Sequence, residues 1–503
     1  MIVFLVTLSA PLFSRHFGTN SDEGLVSARL TLDGAAIISG GGFNQGAGSY
    51  EAIAAKISPD GQIVWAKSFG RAPFLYDYFW DAIPVSDGTY LLVGESGSNA
   101  WCLRLSSSGD YIGFANVFGL SGTDIATSGV ELIEGSDTSF VISGFCQDVG
   151  NPDALLVKIN KLGDQMLWAK RFGGSGEDEL FSACKSADGN YVLAGYTTSA
   201  GSGSADLLVV KCDGSGNIIW ARAYGGGGYD EAEAIVQAQG GFFVAGFTLS
   251  YGANGDILLL KIDESGNLVW ARNYGGNSLE IAWEVSGTPD GGCVLFGRTA
   301  SAGAGGDDAF AMKVDNNGNP EWAICFGGAG FENAIGGFRF PEGGYFVGGT
   351  TDSYGFLGSD DIFYMRVAEN GSYPSCVQSW SPIYGNPSPV QTNLSWTPTS
   401  ISPSLPMGSM SILPQGYLPY DICAPVYENV EESDQYPGST PFGSSVLGGL
   451  VFSVSGELDL RIYCSDGRLV LSKTLMPGQN KIQLEPGVYF WQAGQFKGKA
   501  VVR

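Results

Sequence analysis

Short hydrophobic runs separated by Gly, Asn, Asp and Ser recur along most of the chain. Between Gly225 and Gly275, four such runs begin near Glu233, Phe242, Asp256 and Leu268. Runs of this length bounded by turn residues predict β-strands. The third run is continuously apolar, which is typical of a strand covered on both faces. This stretch therefore predicts four strands in succession.

The four-strand unit carries a recurring phrase at its end. The phrase is an aromatic residue, three further residues, then Phe or Tyr followed by Gly. Its glycines lie 49 to 54 residues apart, at Gly18, Gly70, Gly119, Gly173, Gly225, Gly275 and Gly327. Its first aromatic residues are Phe13, Trp65, Phe114, Trp168, Trp220, Trp270 and Trp322. A period near 50 residues, filled with short strands, is typical of β-propeller blades.

The two ends of the repeat region complement each other. The last repeat supplies three strands and ends near Val367, while Leu12 to Phe17 has the pattern of a fourth strand with no partners before it. Pairing the two removes an exposed sheet edge. We therefore predict an all-β chain in which residues 11–376 form a seven-bladed β-propeller. Its blades are four-stranded, and the N-terminal strand closes the last blade.

The composition changes after the repeats. Residues 377–436 are rich in Pro, Ser and Thr, which predicts an extended, semi-rigid connector. Short alternating strand patterns resume in residues 437–503 and predict a small β-sandwich.

Charge excludes some classes of partner. The formal net charge is −25, from 51 acidic and 26 basic residues, so nucleic acid and anionic membrane surfaces are disfavoured. Ca²⁺ or basic partners remain compatible with this charge, although solubility alone would also explain it. No segment after the N-terminus is long and apolar enough to predict a transmembrane span. Residues 1–10 fit either a truncated signal peptide or a strand.

The nine cysteines contain no CxxC pair and no Cys/His cluster, so a zinc site has no support. Most of them lie in strand-like runs and are expected to be buried. Cys376 and Cys423 instead bracket the Pro/Ser-rich stretch, which makes them candidates for a disulfide in an oxidising compartment.

Most acidic residues recur with the repeat. An acid opens the third strand of most blades, and a Lys or Arg follows five residues later, as in Asp206 and Lys211. Other carboxylates follow most of the inter-blade glycines. Read alone, Glu177, Asp178 and Glu179 suggest metal binding or acid–base chemistry. Because the pattern recurs, we interpret it as ion pairs and turn caps that join the blades, and we predict no catalytic residue.

One inter-blade connection breaks the repeat, because Arg71 to Asp81 is rich in aromatic residues. In propellers such connections open on the same face as the loops between second and third strands. The predicted ligand-binding face therefore comprises Phe74, Tyr76, Tyr78, Trp80, Trp101, Tyr251, Tyr354 and Phe356. Aromatic residues with polar neighbours suit sugar stacking or a protein-binding hot spot. The alternative is that they plug the central channel.

The last 65 residues or so carry a more specific signal. Leu460-Arg-Ile-Tyr-Cys-Ser-Asp-Gly-Arg-Leu-Val470 is followed by Pro486-Gly-Val-Tyr-Phe490 and a terminal Val-Val-Arg. This order of motifs resembles the type A C-terminal sorting domain of type IX secretion substrates, and Thr440-Pro-Phe-Gly-Ser-Ser resembles that family's entry segment. The resemblance implies export across the outer membrane of a Gram-negative bacterium, with residues 437–503 contacting the secretion machinery. It implies no particular activity.

Three functional hypotheses follow. The first is a non-catalytic, secreted or cell-surface propeller that binds an extracellular protein or glycan or serves as a structural component. The second is an enzyme, either a quinone-dependent dehydrogenase or a polysaccharide-cleaving propeller, although no catalytic set interrupts the repeat. The third is self-association into a surface layer or filament.

Overall fold

The structure, a computed structural model, describes residues 12–18, 21–44, 48–70, 76–112, 116–119, 122–147, 150–163, 165–252, 254–354, 359–373 and 378–394. It also describes the backbone of the strands between residues 399 and 502. Residues 1–10, Phe74, Phe356, Cys376 and Cys423 lie outside the described residues. No helix in the described part of the chain has the length and apolarity needed to cross a membrane.

The repeat region consists of 28 strands. In chain order they are β1 (Phe13–Phe17), β2 (Glu23–Leu30), β3 (Ala36–Asn44), β4 (Ser49–Ile57), β5 (Ile63–Gly70), β6 (Asp77–Pro84), β7 (Tyr90–Ser96), β8 (Asn99–Leu105), β9 (Asn116–Phe118), β10 (Asp124–Glu134), β11 (Asp137–Cys146), β12 (Asp153–Asn160), β13 (Met166–Phe172), β14 (Asp178–Lys185), β15 (Tyr191–Thr197), β16 (Asp206–Cys212), β17 (Ile218–Gly225), β18 (Asp230–Ala238), β19 (Gly241–Thr248), β20 (Asp256–Ile262), β21 (Leu268–Gly275), β22 (Glu280–Gly287), β23 (Cys293–Thr299), β24 (Asp308–Val314), β25 (Pro320–Phe326), β26 (Glu332–Arg339), β27 (Tyr345–Thr351) and β28 (Asp361–Val367).

These strands form seven antiparallel sheets, the blades. Blades 1 to 6 each contain four consecutive strands, beginning with β2, β6, β10, β14, β18 and β22. Blade 7 contains β26, β27 and β28, and β1 completes it by pairing antiparallel with β28, from Phe13 opposite Arg366 to Phe17 opposite Ile362. Packing of β2 against β26 closes the ring. The predicted seven-bladed β-propeller closed by the N-terminal strand is therefore confirmed.

The recurring aromatic residues pack one blade against the next. The hairpin between the third and fourth strands turns at a glycine with positive φ, such as Gly109 in blade 2. A Cβ at Gly109 would lie 2.7 Å from the indole of Trp65 in blade 1, so only glycine lets the ring lie flat on this turn. The Trp65 Nε1 donates to the Ser107 carbonyl at 3.0 Å. The contact recurs around the ring and explains the repeated phrase.

The recurring bases also join blades, as predicted. Lys158, at the end of the third strand of blade 3, donates to Glu134 in the first hairpin of its own blade at 2.8 Å. It donates as well to the Gly214 carbonyl of blade 4 at 2.8 Å. Arg104 makes the equivalent contacts with Asp87 and with the Lys161 carbonyl, both at 2.6 Å.

The Pro/Ser-rich segment runs around the propeller and adds a fifth, outer strand to six of the blades. We call it the belt. Its strands are β29 (Gln378–Ser379), β30 (Ile383–Gly385), β31 (Val390–Leu394), β32 (Thr399–Ser400), β33 (Ser411–Pro414) and β34 (Tyr420–Asp421). In that order they pair antiparallel with β25, β21, β17, β13, β5 and β1, so the belt visits the blades in reverse sequence order. In the described residues of this segment, the short strands cover the outer edges of the blades.

The chain divides into two compact units, Met1–Val426 and Tyr427–Arg503. The second contains β35 (Phe442–Val446), β36 (Gly449–Val454), β37 (Leu458–Cys464), β38 (Leu469–Leu475), β39 (Gly478–Gln483), β40 (Gly487–Ala493) and β41 (Phe496–Val502). These strands form a three-stranded sheet, β35-β36-β39, and a four-stranded sheet, β38-β37-β40-β41.

Candidate functional site

The inter-blade connections and the loops between second and third strands meet at one end of the propeller, which we call the loop face. The hydroxyl of Ser250, in such a loop, donates to Asp230 Oδ2 at 2.6 Å, and Asp230 begins the first strand of its blade. The Gly226 amide of the preceding connection donates to the same oxygen at 2.7 Å. Asp178, Glu280 and Glu332 accept a hydrogen bond from the equivalent glycine amide, so the acids that begin these first strands cap turns as predicted, whereas Glu179 and Glu231 do not.

Five aromatic side chains of blades 1 and 2 form a row on the loop face, which we call the aromatic ladder. It comprises Phe43, Tyr50, Tyr76, Tyr78 and Trp80. Successive ring centroids lie 5.5, 5.3, 5.8 and 5.5 Å apart. The rings of Tyr76 and Tyr78 are nearly parallel, at 8°. Phe43 and Tyr76 are 37% and 43% exposed, so the ladder presents apolar surface to solvent.

Glycines of blade 1 make room for the ladder. Tyr78 lies against Gly41, where a Cβ would approach its ring to 2.2 Å. Trp80 is the extra residue of a β-bulge between Phe79 and Asp81, which turns its side chain out of the regular alternation. The indole Nε1 of Trp80 donates to Glu95 Oε1 at 3.4 Å.

The tyrosines of the ladder act as neutral hydrogen-bonding groups. Burial, together with the charge of Glu95, raises the pKa of Tyr76 to about 12. Burial also raises the pKa of Tyr78 and of Glu95 itself. Aromatic faces beside hydroxyl and carboxyl groups suit recognition of a ligand through stacking and hydrogen bonds.

The structure brings together Tyr76, Tyr78 and Trp80 from the predicted face. The prediction for Trp101 is wrong: this side chain is fully buried and stacks on Phe79 at 4.8 Å, because both faces of β8 are covered. Tyr251 and Tyr354 lie outside the ladder and tie blades 5 and 7 to the blade that precedes each of them. Their hydroxyls donate to the carbonyls of inter-blade glycines at 3.0 and 3.2 Å.

Two ladder members, Phe43 and Tyr50, were missed in the sequence. They flank the loop between the second and third strands of blade 1, and Tyr251 lies in the corresponding loop of blade 5. The signal was therefore present, but only the fold places this loop beside Tyr76.

A second aromatic row, also missed, lies between blades 4 and 5. Phe181, Tyr196, Tyr229 and Phe247 have successive centroid distances of 5.8, 5.9 and 5.6 Å. The carboxylates beside it are Glu177, Glu179, Glu231 and Glu233. Tyr196 donates to Glu177 at 3.1 Å. Burial raises the pKa of Glu179 to about 7 and also raises that of Glu233.

A charged brace spans the central channel. Arg29 of blade 1 donates to Asp81 of blade 2 at 3.1 Å and to Glu284 of blade 6 at 3.0 Å. Ser27 and Ser128 also donate to Asp81, at 2.7 and 2.9 Å. The channel is therefore crossed by a side chain, and both carboxylates are buried.

No three His, Cys, Asp or Glu side chains converge as metal ligands within the described ranges. The hypothesis of a Ca²⁺ ion therefore has no candidate ligand set in that part of the chain.

No protein-family model matches this chain, and no curated protein matches it. Among solved structures, it is similar to a Dyadobacter fermentans protein of unknown function, with 10% identity and a TM-score of 0.39, over 71% of this chain and 95% of the other. It is also similar to PorZ of Porphyromonas gingivalis, a bacterial surface component of the type IX secretion system. That alignment has 10% identity and a TM-score of 0.32, over 94% of this chain and 69% of the other. At these scores neither similarity bears on function.

Proposed function

We propose that the chain is a non-catalytic binding module displayed outside the cell, and that the aromatic ladder is its ligand site. The observation that carries the proposal is the continuous row of five rings that runs from exposed Phe43 to Trp80. Rings of this kind stabilise a bound sugar or protein side chain at small entropic cost, because they are already held in place.

The proposed location rests on the C-terminal unit. Its seven strands in two sheets fit the predicted β-sandwich, and its motifs resemble the type A sorting domain. In a Gram-negative host with type IX secretion, the full chain should reach the cell surface or medium. A chain ending at residue 436 should remain in the periplasm. Equal surface display of both chains would refute the role of residues 437–503.

The binding proposal is tested by a glycan array and by a pull-down from the native cell surface, each with the full chain. Tyr76→Ala should weaken capture of the identified ligand at least tenfold while the melting temperature stays the same. Tyr384→Ala is the matched control, because Tyr384 is 47% exposed and lies on the belt. If Tyr76→Ala and Trp80→Ala both bind as the parent does, the ladder is not the site.

A further inference from the structure

Carboxylates flank the aromatic ladder at both ends. Asp22 and Asp360 lie close enough to Tyr50 to raise its pKa, after burial, which is the larger cause. Glu95 accepts the hydrogen bond from Trp80 at the other end. Among the described residues, no Lys or Arg forms an ion pair with any of these three carboxylates. The exposed rings therefore lie in a negative field that nothing in this part of the chain neutralises.

The same face carries the four carboxylates of the second aromatic row. The repeat supplies a comparison, because Glu179, Glu231 and Glu233 stand just before or at the β-bulge of a first strand. Two positions of the first strand are compared in each blade: the bulge residue and the residue two before it. At the eleven remaining positions no carboxylate occurs; the residues there are Gly24, Val26, Tyr78, Trp80, Ile125, Thr127, Phe181, Ile281, Trp283, Asn333 and Ile335. The acidic side chains of blades 4 and 5 therefore depart from what blade construction requires.

The recurring bases lie at the opposite end of the propeller. Lys56, Lys158 and Lys313 each close a third strand beside the first hairpin of the blade, and each pairs there with a carboxylate. On the loop face, Arg298 is already held by Asp307. The loop face is thus acidic and aromatic, whereas the recurring bases lie at the other end, where all but Lys261 pair with a carboxylate.

We infer that the ligand of the loop face is a basic segment of a protein partner, rich in Arg or Lys. This inference rests on the proposed binding function and narrows its ligand class. Guanidinium groups stack on Tyr and Phe rings, and nearby carboxylates strengthen their binding. The exposed rings of Phe43 and Tyr76 provide the stacking surface, and Asp22, Glu95 and Asp360 provide the charge. Neutral glycans carry no opposite charge to pair with these carboxylates, and anionic glycans are repelled by them.

The test uses the full chain and two fluorescent twelve-residue peptides of alternating Ser and Arg or Ser and citrulline, the neutral isostere of Arg. Fluorescence anisotropy should show the Arg peptide binding at least tenfold tighter than the citrulline peptide, with affinity falling as salt rises. Tyr76→Ala and Asp22→Asn should each weaken binding of the Arg peptide about three- to tenfold.

Two controls separate this site from general attraction to an acidic protein. Tyr384→Ala removes an exposed ring on the belt, and Asp137→Asn removes an exposed carboxylate in the first hairpin of blade 3, away from the loop face. Both should bind the Arg peptide within twofold of the parent. Variants are compared only after circular dichroism shows the parent melting temperature.

The outcomes distinguish the two proposals. Equal binding of both peptides, or equal losses in the control and ladder variants, overturns the basic-partner inference. If a neutral glycan binds instead and Tyr76→Ala abolishes that binding, the inference fails while the proposed binding function stands. If Tyr76→Ala changes the binding of no ligand found, both fail.

Discussion

Lys261 Nζ lies 4.1 Å from the centre of the Phe243 ring and donates no hydrogen bond. In the six other blades the corresponding base pairs with an acid that precedes the hairpin glycine, as Lys211 does with Asp188 at 2.9 Å. Blade 5 has Gln239 at that hairpin position. Because no carboxylate compensates for burial, the pKa of Lys261 is lowered. The face of the Phe243 ring provides a favourable contact for the ammonium group.

We expect Gln239→Asp to restore the missing pair and raise stability by about 0.5–1 kcal/mol at pH 7. The measurement is the midpoint of urea unfolding, with Gln239→Asn as the isosteric control. In the parent, the folded chain binds this proton less tightly than the unfolded chain, so stability should rise as pH increases toward 10.5. That rise should shrink in Gln239→Asp. An unchanged midpoint would show that the hairpin carboxylates contribute nothing measurable.

Removing Arg29, the cation of the channel brace, should strongly reduce the stability of the propeller. Arg29→Met leaves Asp81 and Glu284 buried without their cation, which typically costs about 3–5 kcal/mol. The combined change with Asp81→Ser and Glu284→Ser should recover most of this loss, because Ser27, Ser128 and Ser182 occupy the same position in other blades. Thermal unfolding by calorimetry measures both. A triple variant no more stable than Arg29→Met would contradict this account.

The belt should contribute to propeller stability through Trp380. This side chain is 8% exposed and packs on Phe310 with ring centroids 5.3 Å apart, while its amide donates to the Ala323 carbonyl at 2.9 Å. Trp380→Ala should cost about 3 kcal/mol, by loss of buried area and creation of a cavity. Tyr384→Ala, at an exposed belt ring, should cost less than about 0.5 kcal/mol. Chemical denaturation of both variants shows how much stability comes from side-chain packing of the belt, as distinct from the backbone pairing of its strands with the blade edges.

The carboxylates beside the second aromatic row, in blades 4 and 5, predict that the stability of the fold depends on pH. In the folded chain the pKa of Glu179 is about 7, whereas its ordinary value is 4.5. The protonated side chain therefore stabilises the fold fully below pH 4.5, and this stabilisation is lost as pH rises through 7. Glu179→Gln should flatten this decline and raise stability at pH 8 by about 1–2 kcal/mol, after allowance for solvent screening. Melting temperatures from pH 4 to pH 8 give the test, and parallel curves for parent and variant would reject it.

Part of the ladder was predictable, because equivalent segments of the seven blades can be compared within one sequence. Tyr76, Tyr78 and Trp80 stand out as a group, because the stretch from Arg71 to Asp81 carries several aromatic residues where the corresponding stretch of each other blade carries at most one. Trp101 was predictable as a buried residue, because it lies in β8, a third strand, and the apolar third strands already indicate coverage on both faces. The pairing of Arg29 with Glu284 was not predictable from the sequence. They are 255 residues apart and meet only across the channel.

By itself, the sequence determined the blade count, the strand order and the closure of blade 7. Each strand is encoded by side chains close together in the chain, and each blade junction by the repeated aromatic phrase. Only the tertiary structure decided where the belt lies, because backbone hydrogen bonds hold its strands to the blade edges and leave no side-chain pattern. It also decided which aromatic residues form the ladder. The ring of blades brings Phe43 and Tyr50 beside Tyr76, a proximity that depends on inter-blade packing rather than on separation along the chain.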